Sequence, residues 1–204
     1  MTRRALSKAT VGMLALGLPV LVFSHSALAQ KGKPPAEGSV SCPISSGTLK
    51  LTPQSGSPGT LGVTLRAKIH PPSPCMGSPT LANGDSVTVT GASLKGHGTA
   101  TSSPTSDDTC DLGTVTVTLR WKSSPKIAPT MLTFQGGTWS PPGPPILPAS
   151  GGTLESDTGS FGGSGASATI TPKSEYPPNP CAGTKPITIH ITGGTVALGS
   201  PPTS

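Results

Sequence analysis

Large aromatic side chains are scarce in this sequence. Aromatics make up 3% of the 204 residues, and past residue 29 only Trp121, Phe134, Trp139, Phe161 and Tyr176 remain. A core built from so few large side chains is thin, and cross-links are then a sensible supplement. Charge is also sparse at 11%, with no cationic run longer than Lys31-x-Lys33. Nucleic-acid binders ordinarily gather a basic stripe interleaved with aromatics. The cations here read as scattered, and nucleic acid is not expected as a partner.

Other absences bear on chemistry. None of the four cysteines forms a C-x2-C pair, which speaks against zinc. No Gly-x-Ser-x-Gly elbow exists, since Gly162-Gly163-Ser164-Gly165-Ala166 fails at its last glycine. His70, His97 and His190 are the histidines past residue 29, and each reads as a surface residue rather than a catalyst. Glu155 with Asp157 could be set against each other as in a glycosidase, but both lie among turn residues that ordinarily carry solvated acids. Asp107, Asp108 and Asp111 could hold Ca²⁺ only loosely, lacking the spacing of a dedicated loop. The expectation is no catalytic residue, no metal and no cofactor.

The first 29 residues read as a secretory signal. Arg3, Arg4 and Lys8 precede an apolar stretch from Ala9 to Phe23, and Ala27-Leu28-Ala29 makes a small-x-small cleavage site. The paired arginines also suit twin-arginine export. No later stretch is long and apolar enough to span a bilayer, so a secreted chain, free or loosely held at the cell wall, is expected. Cleavage after Ala29 removes three cations from a formal charge of +6. Eleven cations against eight carboxylates leave +3, a balance that favours anionic surfaces weakly.

What the chain does have is glycine, proline and alternation. Gly and Pro number 27 and 25, near the level at which disorder competes with folding, but regular period-two runs argue for a folded domain. Leu61, Val63, Leu65, Ala67 and Ile69 share one face while Thr64, Arg66 and Lys68 share the other. Val115, Val117, Leu119 and Trp121 alternate with Thr116, Thr118, Arg120 and Lys122. Such alternation marks half-buried antiparallel strands. About nine are expected: 47–52, 60–69, 86–94 with a bulge at Gly91, 113–122, a strand around 131–134, 152–156, 166–171, 186–192 and 194–198. Lys95 to Thr109 reads as a long polar connection. No amphipathic helix is predicted, so the fold class is all-β, an antiparallel sandwich or barrel-like sandwich. The expected layout is signal 1–29, flexible leader 30–41, one β domain 42–199 and a tail 200–204.

One stretch occurs twice. His70-Pro71-Pro72-Ser73-Pro74-Cys75-Met76-Gly77 returns as Tyr176-Pro177-Pro178-Asn179-Pro180-Cys181-Ala182-Gly183. Three prolines in four positions cannot supply ladder hydrogen bonds, so each copy reads as a rigid crossing between strands, fixed by its cysteine. Both halves run Cys, strand, strand, crossing, strand, which suggests a duplicated half. Four cysteines allow three pairings, and spacing alone does not choose among them. If the halves are equivalent, the pairs are Cys42–Cys75 and Cys110–Cys181, each worth roughly 3–5 kcal/mol by chain entropy.

The chain resembles a group of small exported β-rich proteins of actinobacteria over residues 42–199. The resemblance rests on the Ala-Leu-Ala signal, the sparse cysteines, Gly113 to Lys122 leading into Lys126-Ile127-Ala128-Pro129, Gly159-Ser160-Phe161-Gly162-Gly163, and Ile191-Thr192-Gly193-Gly194-Thr195-Val196. It implies fold and location and carries no activity. The expected function is that of a non-catalytic secreted or envelope-associated protein working by surface contacts, its partner a cell-wall polymer or an envelope protein. The alternative is a glycan-binding module that stacks sugars on Trp139 and Tyr176, the aromatics best placed for exposure beside proline loops; the plainer reading has each ring packed on a proline and going no further. A secreted hydrolase with an unrecognised site is the further alternative.

Overall fold

The structure, a computed structural model, describes residues 32–57, 59–69, 75–103, 106–140, 146–149, 151–162, 165–173, 181 and 184–199. The expected signal (1–29), the tail (200–204), both proline triplets and Tyr176 lie outside the described residues.

Every described element is a strand. In chain order they are β1 (Ala36–Glu37), β2 (Val40–Pro43), β3 (Ser46–Pro53), β4 (Thr60–Ile69), β5 (Met76–Gly77), β6 (Thr80–Leu81) and β7 (Thr88–Ser103). Then follow β8 (Ser106–Ser124), β9 (Thr130–Gln135), β10 (Thr138–Trp139), β11 (Ile146–Leu147), β12 (Thr153–Gly159), β13 (Ala166–Pro172) and β14 (Ile187–Leu198). The main sheet has the order β11-β13-β14-β3-β4-β7-β8-β9-β12, antiparallel throughout. It curls into a half-barrel, the barrel-like of the two expected arrangements.

The predicted alternation sets the two faces. Leu61, Val63, Leu65, Ala67 and Ile69 of β4 are buried, as are Val115, Val117, Leu119 and Trp121 of β8. Their intervening neighbours are half-buried or exposed on the outer face. A register shift lies between Val89 and Gly91, where the bulge was expected.

The largest departure concerns residues 95–109, expected as a connection. They form the tip of a hairpin in which β7 runs to Ser103 and β8 starts at Ser106. The inward positions here are Gly96, Gly98 and Ala100, so the alternation has no large apolar residue to announce it. A side chain at Gly98 would lie 2.6 Å from the Thr114 carbonyl oxygen. The strand is glycine there because its neighbour leaves no room.

The supposed leader is also part of the fold. Ala36 is buried and Val40 opens a strand paired with β14, so residues well before Cys42 already belong to the fold. Ala36 N–H donates to Ser160 Oγ (3.1 Å), and Phe161 N–H donates to the Ala36 carbonyl (2.6 Å). Ser160 Oγ donates onward to the Ala128 carbonyl (2.7 Å), and Ala128 N–H to the Pro34 carbonyl (2.9 Å). Beside this chain, Trp121 Nε1–H donates to Thr130 Oγ1 (2.9 Å), whose hydroxyl donates to the Ser160 carbonyl. Trp121 meets Phe161 edge-on at 5.1 Å. The buried Thr130 and Ser160 are thus paired, the condition for keeping polar groups in a core, whereas the Ser123 hydroxyl is buried without a partner among the described residues.

Both disulfides join the pairs suggested by equivalent halves, Cys42–Cys75 and Cys110–Cys181. Strand neighbours repeat in the same sense. β4 and β13 each precede a crossing, and each pairs with the strand after it, β7 or β14. The far side of β7 is then taken by β8, and the far side of β14 by β2 and β3. Each half therefore lends its first strand to the other.

Candidate anion-binding face

Register decides which outward residues meet. Successive outward positions on one strand lie about 7 Å apart, and neighbouring strands about 4.8 Å. Arg66 of β4 faces Thr48 of β3 on one side and Lys95 of β7 on the other. One position along, Lys68 lies between Ser46 and Ser93. Both rows continue onto β8, where Lys95 faces Thr118 and Ser93 faces Arg120. A third row runs Lys50, Thr64, His97, Thr116.

Six of the eleven cations past residue 29 therefore lie on one outer face: Lys50, Arg66, Lys68, Lys95, Arg120 and Lys122, all exposed. Along β3, β4, β7 and the Thr114–Lys122 stretch of β8 the face carries no carboxylate; Asp111 lies further along β8, opposite Thr101 and away from the six. Among the described residues none of the six has an ion-pair partner. The reading of scattered cations is corrected here. Positions 50 and 122 are far apart along the chain, but the antiparallel ladders stack them. The outward phase of Arg66, Lys68, Arg120 and Lys122 was legible from alternation; which strands adjoin was not.

Within the face lies a concavity of about 440 Å³, lined by Ser46, Gly47, Thr48, Arg66, Ala67, Lys68, Ser93, Leu94 and Lys95. Ala67 and Leu94 are buried and point inward, so they offer main chain to it. The outward lining is three cations and three hydroxyl side chains. Among the described residues, Ser46, Thr48 and Ser93 make no side-chain hydrogen bond. All the donors of this patch therefore face solvent with nothing accepted from the protein.

The residues singled out for other roles lie elsewhere. Trp139 is 5% exposed, in register with Cys110, and it lines an apolar cavity of about 40 Å³ with Leu112, Val115 and Leu147. The expectation of an exposed stacking platform at Trp139 is thus corrected: the ring closes the inside of the curled sheet. The cavity is wholly apolar and well below the roughly 150 Å³ that admits a benzene-sized guest. Trp121, Phe134 and Phe161 are buried too, so no described aromatic stands on the outer face. His97 and His190 are exposed there, as expected for His190. Asp157 accepts from Gly165 N–H (3.3 Å) at the β12 edge, and Thr153 Oγ1 donates to Glu155 (2.9 Å). Among the described residues no three His, Cys, Asp or Glu side chains gather as metal ligands, and no helix is long and apolar enough to cross a membrane.

No protein-family model matches the chain, and no curated protein or solved structure is significantly similar to it.

Proposed function

We propose that this is a non-catalytic exported protein that works by surface contact, holding anionic polymer of the cell envelope against the outer face of β3, β4, β7 and β8. The carrying observation is the six-cation face, on which no carboxylate adjoins any of the six cations across the ladders. Like charges directly opposite one another destabilise a sheet, and Arg66 faces Lys95 with no acid beside either. Local conflict of this kind belongs to sites kept for a partner. Two disulfides fit an oxidising, extracellular setting, and the Ala27-Leu28-Ala29 site supplies the route out. Contact through exposed charges in water is screened by salt, so the attachment is reversible and the protein only loosely held.

The test is retention of the mature chain (residues 30–204) on carboxymethyl-cellulose at low ionic strength. Wild type is retained and released by salt, and Arg66→Thr with Lys95→Thr elutes at lower salt with its fold intact. Passage of the wild type without delay at low salt defeats the reading. The glycan-stacking alternative is left with Tyr176, since Trp139 is inside. The hydrolase alternative is tested by ester, peptide and glycoside substrates, on which no turnover is expected.

A further inference from the structure

The concavity is more specific than the face that holds it. We infer that it is a subsite for a phosphate monoester carried by the polymer, an inference that rests on the surface-contact reading above. Its six outward side chains form two rows, Thr48–Arg66–Lys95 and Ser46–Lys68–Ser93, by strand register. Opposed Cβ atoms across a ladder lie about 5 Å apart, and the rows about 7 Å. One anionic group seated between the rows is within reach of side chains from both.

The donor set then discriminates among anions. Arg66 presents a planar fork suited to bidentate pairing with an oxyanion. Lys68 and Lys95 add compact ammonium charges, and Ser46, Thr48 and Ser93 add hydroxyls that can turn toward an acceptor. A carboxylate has two oxygens in one plane and a single charge, which leaves most of this array unused. A phosphate monoester has three strong acceptor oxygens and roughly −1.5 to −2 charge at neutral pH, directed tetrahedrally toward donors on more than one side. A sulfate ester shares the shape but holds one charge, and so gains less from three cations. Nucleic acid is disfavoured, because its single strands are held by bases stacking on aromatic rings and no described aromatic faces outward. The concavity's floor of short side chains leaves space for the ester group while the long cations rim it.

The test compares cellulose resins matched in charge capacity and backbone: phosphocellulose, carboxymethyl-cellulose and cellulose sulfate, with DNA-cellulose beside them. The mature protein is expected to bind phosphocellulose about ten-fold more tightly than carboxymethyl-cellulose, the worth of one added charge-assisted hydrogen bond. Inorganic phosphate should release it at lower ionic strength than sodium chloride does. Arg66→Lys with Ser93→Ala keeps the charge but removes the fork and a hydroxyl. That variant should lose the phosphate preference and retain its binding to carboxymethyl-cellulose, its fold checked by thermal melting. Arg66→Lys alone, which alters no core position, gives the same direction of change if the double variant folds poorly. Equal binding to phosphate and carboxylate resins overturns the subsite while leaving the surface-contact reading standing. Preference for cellulose sulfate or DNA-cellulose overturns it in favour of that ligand. Failure to bind any of the four removes both readings.

Discussion

Lys95 and Arg66 show at the residue scale how the face can be costly to the fold. Each sits directly opposite the other across the β4–β7 ladder, both exposed and without an acid alongside. Replacing Lys95 by Thr removes the repulsion and supplies a β-branched residue suited to a strand. The variant is expected to gain a few tenths of a kcal/mol in stability at low salt, a gain that shrinks as salt is added. Denaturant melts at two ionic strengths check it, and unchanged or lower stability at low salt contradicts the repulsion argument. The same residue shows where sequence reading stopped. Lys95 stands beside Gly96 and Gly98, whose missing side chains hide the alternation that would have marked it as outward on a strand. Arg66 and Lys68, flanked by Leu65, Ala67 and Ile69, were readable as outward.

Elements carry their information at two levels, and only one is local. The antiparallel strands, the bulge at Gly91 and the inward Trp121 followed from period two, although 186–192 and 194–198, expected as two strands, are one continuous strand, β14. The N-terminal segment had no such signal: Pro34, Pro35, Ala36 and Glu37 hold no alternation, and their place is fixed by partners more than 90 residues away. Ala36 N–H and carbonyl clasp Ser160 and Phe161, and the Pro34 carbonyl takes Ala128 N–H. Starting the chain at Gly38 removes all three bonds and leaves Ser160, which is fully buried, with its acceptor side unpaired. Loss of roughly 1–3 kcal/mol is expected for each buried group left without a partner. A lower melting temperature, with an altered near-ultraviolet signal from Trp121, is the measurement. Unchanged stability would return these residues to the status of a leader. Trp139 failed in the opposite direction. Its flanking prolines suggested a surface loop, whereas β10 pairs with β8 and turns the ring inward.

At the scale of the whole molecule, the order of the long strands departs from chain order at one place. From β3 to β12 the main-sheet strands adjoin in sequence except short β11, which crosses to pair with β13, and β13 and β14 adjoin as well. The connected pair β12 and β13 stand at different ends of the order, while β14, the last strand, pairs with β3, the first long one. The ends are close as well: a side chain at Gly199 would run into the Gly38 carbonyl oxygen. A circular permutant cut between Gly162 and Gly165, with the old ends joined by a short linker, makes spatial and chain order coincide for the long strands, β11 alone excepted. It is expected to refold faster than the native order, because nearly all its pairings become local. Stopped-flow refolding under non-reducing conditions decides the matter, and a slower permutant would show that closure of β14 on β3 does not limit the rate. Neither this closure nor the gathering of cations could be read from alternation, which says how a strand faces and nothing of what lies beside it.

The pairing of β14 with β3 has a consequence for a chain that emerges from one end. Until residues 187–191 are free, the ladder groups of β3 from Gly47 to Leu51 lack their partner, and Thr48 in the concavity belongs to an open edge. Such an edge can pair with another chain. On the proposed export route, N-terminus first, the half already outside would be held in that state until the last strand arrives. The final strand thus closes the sheet's open edge: a copy lacking it leaves the β3 ladder exposed and is prone to stick to its neighbours.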